Sequence, residues 1–208
     1  CVATVAAMMS PAPTAEAKTD LGRPRVMWQQ CVERALQCFP TGGGYHTGRN
    51  IPPGFRQTAW TGLDRAVRVS ATGVCVDPYL ATPSFCSSAT YLLLLKSLEL
   101  YEKTCGVMPP RKEWEYLKPY TVDHRPYPIQ NDGVGAWGRA NANGPGMAEL
   151  AHELKIGTNL YIGTTGEYAN LADRNEMFAS IRRYDFMKIF WNDEIGKDER
   201  GHMVVVLG

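Results

Sequence analysis

The sequence lacks the features that mark several common classes of protein. It has no basic block, no basic helical stripe and no zinc-finger spacing. Its 22 Lys and Arg nearly balance 21 Asp and Glu, for a formal charge of +1. Phosphate backbones are held by clustered cations, so nucleic acid is not the expected partner. The glycine-rich stretch Gly42–Gly48 has no following Lys-Ser/Thr pair, which argues against a nucleotide loop. His152-Glu153 lacks the second histidine of a zinc-protease helix, and no Cys/His spacing matches a closed zinc site. Neither a metal nor an organic cofactor is therefore expected. Internal repeats are absent, and the apolar N-terminal run is too short to span a bilayer, so no transmembrane segment is expected.

What remains is the composition of an ordinary globular protein: 208 residues, 44% hydrophobic and 21% charged. That length can bury a sizeable core in one domain. Residues 1–17 stand apart. They begin small and apolar, become turn-rich at Ser10-Pro11-Ala12-Pro13, and reach Ala15-Glu16-Ala17, a small-x-small pattern. This reads as the back half of a secretory signal or, alternatively, a disordered tail, with the domain occupying 18–208. Export is thus expected, to the periplasm, the cell envelope or the medium. With Cys1 set aside, five cysteines remain, and two disulfides plus one free thiol would suit an oxidising compartment. Cys31 and Cys38 lie too far apart along a helix to pair with each other.

Apolar residues recur at helical spacing over 24–39, with Pro24 at the start. A Gly/Pro-rich loop follows over 40–62, then a short strand or helix near Leu63–Ser70. From Phe85 to about Lys103 the pattern is apolar almost all round, which predicts a central helix buried on several sides. Residues 106–146 read as a long irregular region, and a short helix follows Pro145. A further helix is expected over about 167–182. Two strands, Tyr184–Trp191 and His202–Leu207, then form a hairpin.

Cys86 carries the strongest chemical signal. It follows Pro83-Ser84-Phe85 at the start of the central helix, where Ser84 is the expected cap. A thiol in a first turn meets the positive end of the helix dipole and free backbone N–H donors, which favour the reactive thiolate. Acyl transfer by cysteine also needs a base, and His202 opens the strand His202-Met203-Val204-Val205-Val206-Leu207. A buried, inert thiol is the plain alternative.

Cys86-Ser87, Asp185-Phe186 and Gly201-His202 through Gly208 together resemble the motifs of the NlpC/P60 family of cell-wall cysteine peptidases. More loosely, they resemble the related CHAP amidases. The resemblance implies a papain-like α+β fold, with a central helix carrying the Cys packed on an antiparallel sheet carrying the His. It implies a cysteine peptidase or amidase that hydrolyses peptide or amide bonds in peptidoglycan stems. Catalysis would fall to Cys86 and His202, with support from Ser87 and with Tyr45 framing the site. Phe85, Ser88 and Tyr184 replace the family's Asp, Gly and Gly. The family's third polar residue lies on the strand after the His strand, and the chain is read as truncated before it. Asp185 is a possible substitute, although a structural residue beside a turn is its commoner role.

Two other readings stay open. One is a secreted binding module whose catalysis has decayed, and the other is a cysteine acyltransferase that passes the acyl group to an amine. Within Gly135–Gly146, Trp137 could stack on a glycan, Arg139 could pair with a carboxylate, and Asn141 could add hydrogen bonds. A tight structural loop is the equal alternative there. Of the remaining histidines, His46 reads as a groove wall beside Tyr45, and His124 as solvated.

Overall fold

In the computed structural model, the residues described are 2–7, 22–42, 44–58, 62–106, 111–119, 135–142, 147, 150, 158–161, 175, 178–191 and 200–208. The chain is a mixed α+β protein with small antiparallel sheets. Where one domain over 18–208 was expected, it divides into two compact units, one of residues 31–137 and the other of 1–30 with 138–208. Helix α1, Gly22–Leu36, crosses the boundary between them.

The 31–137 unit is built around α3, Cys86–Cys105. The leucine run Leu92–Leu95 is buried throughout, as its all-round apolar pattern predicts. Gly106 ends the helix in a left-handed conformation (φ +67°), its N–H donating to the Glu102 carbonyl at 2.8 Å. Helix α3 lies against a two-stranded hairpin of β2, Val67–Ser70, and β3, Gly73–Val76, and against the 3-10 turn Pro78–Ala81. The segment Leu63–Ser70, expected to be strand or helix, is both: the short α2, Leu63–Ala66, runs directly into β2. Ala71-Thr72 is the two-residue hairpin loop, braced by Ser70 Oγ on the Gly73 carbonyl at 3.0 Å.

The region 106–146, expected to be irregular, contains two helices: α4, Arg111–Leu117, and α5, Gly135–Ala140. Helix α4 buries Trp114 and Leu117, and the buried Tyr91 hydroxyl donates to the Leu117 carbonyl at 2.6 Å. Burial pushes that phenol well above its ordinary pKa, and Tyr116 adds to the effect.

In the second unit, four strands pair in the order β4-β1-β5-β6, every pair antiparallel. They are β1 (Val2–Ala7), β4 (Thr158–Tyr161), β5 (Phe186–Phe190) and β6 (Gly201–Val205). The expected C-terminal hairpin is present as β5 and β6. Residues 2–7, expected to belong to a leader or tail, instead form an inner strand between β4 and β5. Strand β5 alternates in burial though not in polarity, with Phe186, Lys188 and Phe190 buried and Met187 and Ile189 half-exposed. Most of the expected helix over 167–182 and most of the one after Pro145 lie outside the described residues. Met147 and Leu150 are helical and buried.

No two of the described cysteines form a disulfide, so the expectation of two bridges is not met. Burial raises the Cys31 thiol above its ordinary pKa, with Cys105 nearby raising it further. Among the described residues, no helix is long and apolar enough to cross a membrane.

Candidate functional site

Cys86 is the first residue of α3. The cap position is taken by Phe85 (φ −72°, ψ 165°) rather than Ser84, and Phe85 has no side chain able to cap. The first turn is tied down from below instead. The Thr90 hydroxyl donates to the Cys86 carbonyl at 2.8 Å and to that of Ser87 at 3.1 Å, and Ser88 Oγ donates to the Phe85 carbonyl at 3.2 Å. Ser87 and Ser88 turn into the core, while Cys86 is half-buried.

The loop over 40–58 brings Tyr45 onto this helix start. Its ring meets Phe85 edge-on, with centroids 6.0 Å apart. Its hydroxyl lies near the thiol and the backbone of Cys86. Burial pushes the Tyr45 phenol above its ordinary pKa, the Cys86 sulfur raises it further, and the Cys86 N–H pulls the other way. The expected framing of Cys86 by Tyr45 therefore has a geometric counterpart.

His46 follows Tyr45 but turns the other way. Its ring packs edge-on against Phe55 at 4.8 Å, and its backbone is clasped to Thr58 by two 2.9 Å hydrogen bonds. His46 Nε2 is buried without a hydrogen-bond partner. It lies so close to Gly44 that a Cβ there would meet it, and the imidazole would have to swing aside. Beside the loop opens a cavity of about 460 Å³. The loop supplies Phe39, Tyr45, Phe55 and Arg56, while Pro83 and Ser84 before α3, and Ala89 and Leu92 within it, form the opposite wall. Sequence reasoning missed Arg56, the only charged side chain among the described lining residues. Its position in a loop flanked by Pro52-Pro53-Gly54 carried no signal of its own.

His202 belongs to the other unit. It sits in β6 opposite Ile189 of β5, half-exposed, on the same face as Val204, Met187 and Ile189. Asp185 lies at the far end of the pair, before β5, where its backbone carbonyl accepts from Val206 N–H at 2.9 Å. Four register positions, about 13 Å along the strand, separate it from His202. Its carboxylate instead closes the turn before β5, Oδ2 accepting from Arg182 N–H at 2.7 Å, next to Tyr184 in a left-handed conformation (φ +72°). This is the structural role of a residue beside a turn.

The expected ligand-binding segment around Trp137 is corrected in part. Trp137 is fully buried in α5, its ring 5.4 Å from that of Tyr91, and it is a core residue with no face for a glycan. Asn141 is also buried. The Arg139 side chain and His124 lie outside the described residues. Among the described residues, no group of three His, Cys, Asp or Glu side chains could hold a metal ion. No family model, no curated protein and no solved structure matches the chain.

Proposed function

We propose that the chain is an exported cysteine hydrolase of the NlpC/P60-like class, acting on peptide or amide bonds of cell-wall peptidoglycan stems. The observation that carries this reading is the placement of Cys86. It stands at the first position of a buried helix with no side-chain cap, under the hydroxyl of Tyr45 and beside a cavity wall. Cys86 attacks the substrate carbonyl as thiolate, with His202 taking the thiol proton and returning it to the leaving amine. Water then cleaves the thioester and releases the acid. The tetrahedral oxyanion needs backbone donors at the helix start. The Tyr45 phenol, near the start of the helix, would be a further donor to that oxyanion. The His-orienting residue comes from an element other than Asp185. In the family resembled, it lies on a strand following the His strand, and β6 is an edge of its sheet.

Digestion of purified peptidoglycan tests the reading. Release of stem peptides should fall to background in Cys86→Ala and in His202→Ala. A Cys86→Ala protein that digests at the wild-type rate refutes it. A second reading, a binding module that no longer catalyses, is favoured by Phe85 and Ser88 standing where the family resembled has Asp and Gly. In that case the wild-type protein binds the wall without cleaving it, and iodoacetamide labels Cys86 only on unfolding.

A further inference from the structure

The cavity beside the Cys86 helix has a mixed chemistry. Its lining divides about evenly between polar and apolar surface, the apolar part supplied by Phe39, Phe55, Ala89 and Leu92 among others, and no described Asp or Glu lines it. Arg56 is the single charge. Its Nη2 donates to the Thr82 carbonyl at 3.0 Å, which pins the guanidinium to the opposite wall, and among the described residues no carboxylate pairs with it. At about 460 Å³, the cavity falls in the range of small-molecule sites, about 300–1,000 Å³. A guanidinium held by one nitrogen keeps its remaining N–H donors for an anion, and its planar fork matches a carboxylate.

We infer that this cavity binds a small organic acid with an apolar body, its carboxylate on Arg56 and its carbon skeleton against Phe39, Phe55 and Leu92. The apolar walls select the body and the lone cation selects the charge. A free peptide C-terminus with an apolar last residue has this chemistry. That such an acid is one end of the substrate of Cys86 rests on the hydrolase reading; the binding itself does not.

The test uses the full chain with the Cys86→Ala substitution, so that turnover cannot intervene. The ligands are N-acetyl-L-phenylalanine, its neutral amide and inorganic phosphate, followed by titration calorimetry or NMR shifts. The acid should bind at least tenfold more tightly than the amide or phosphate. Arg56→Gln should weaken it at least tenfold, and Arg56→Lys should recover part of the loss by restoring the charge. Equal binding of acid and amide overturns the inference, as does phosphate binding as tightly as the acid. Unaltered binding in Arg56→Gln also overturns it, and so does Arg56→Lys that binds no better than Arg56→Gln. If the acid binds as described while wild-type protein leaves peptidoglycan intact, the hydrolase reading falls and this one stands. Cleavage without such binding has the opposite meaning.

Discussion

Glu99 is the residue through which the Cys86 helix holds the rest of its unit, and replacing it should loosen the hairpin beside that helix. The carboxylate is 2% exposed. Oε2 accepts from Val76 N–H at 3.0 Å and from Lys96 Nζ at 2.8 Å, and Oε1 accepts from Lys103 Nζ at 2.5 Å. Lys96 Nζ also donates to the Val76 carbonyl at 2.9 Å. Val76 stands opposite Val67 with its N–H and C=O turned away from β2, so α3 supplies partners for both backbone groups that the hairpin leaves open. In Glu99→Leu the Val76 N–H is stranded, at about 1–3 kcal/mol. Lys96 also loses its counter-ion at a site only 14% exposed. Lys103 is mostly exposed and adds at most about 0.5 kcal/mol. The sum agrees with the cost of about 3–5 kcal/mol for breaking a buried pair. With a urea slope of about 2 kcal/mol/M, the midpoint should fall by about 1.5–2.5 M. The Val76 amide should lose hydrogen-exchange protection by the same free energy. A midpoint shift under about 0.5 M, with Val76 still protected, would refute this account. The pH dependence has a definite sign. Burial alone would raise the Glu99 pKa, but the hydrogen bonds from Lys103, Lys96 and the Val76 N–H outweigh it and hold it below the usual carboxylate value. Its contribution is therefore complete above the ordinary carboxylate pKa and is lost as pH falls through the depressed one. The stability gap between wild type and Glu99→Gln should close on moving from pH 7 to strongly acid solution.

Two further substitutions test the packing. Trp137→Ala should lower stability by about 3–5 kcal/mol, because it empties a fully buried site against Tyr91. Unchanged thermal unfolding would mean that the ring is not part of the core. Gly62 precedes α2 with φ +81°, and a Cβ there would overlap the Leu80 carbonyl oxygen. Gly62→Ala should cost about 2–4 kcal/mol by the same assay, and a cost within about 0.5 kcal/mol would show that the 3-10 turn can move away.

The strongly periodic segments were legible in the sequence. The α1 and α3 patterns set those helices to within about three residues. The run Phe186–Phe190 was legible as strand but not in its buried face, on which Lys188 stands. What was missed had weak local signals and tertiary support. Helix α5, Gly-Ala-Trp-Gly-Arg-Ala, has two glycines and little intrinsic helical tendency; burial of Ala136, Trp137 and Ala140 accompanies it. Helix α4 is only seven residues long, anchored by Trp114 and Leu117 three positions apart. Strand β3 did leave a readable trace. Val67-Arg68-Val69-Ser70 and Gly73-Val74-Cys75-Val76 alternate around a two-residue turn, the pattern of a hairpin. Strand β1 has no distinguishing local signal, because a short run of small apolar residues has the same composition in a leader as in an inner strand.

The candidate site was legible one residue at a time, and less so as a set. Tyr45 was named from its resemblance to a framing residue, and its meeting with Cys86 depends on a loop whose course no periodicity encodes. Asp185 shows the reverse case. It is close to the histidine strand in the motif, yet register decides the matter. Because His202 pairs with Ile189, the β5-side positions that share its face and flank it are Met187, Ile189 and Trp191. None carries a carboxylate or an amide. A carboxylate at position 185 stands four residues from that point, about 13 Å along the strand and beyond the reach of its side chain. Under the hydrolase proposal, a group that orients the imidazole therefore belongs to an element other than β5.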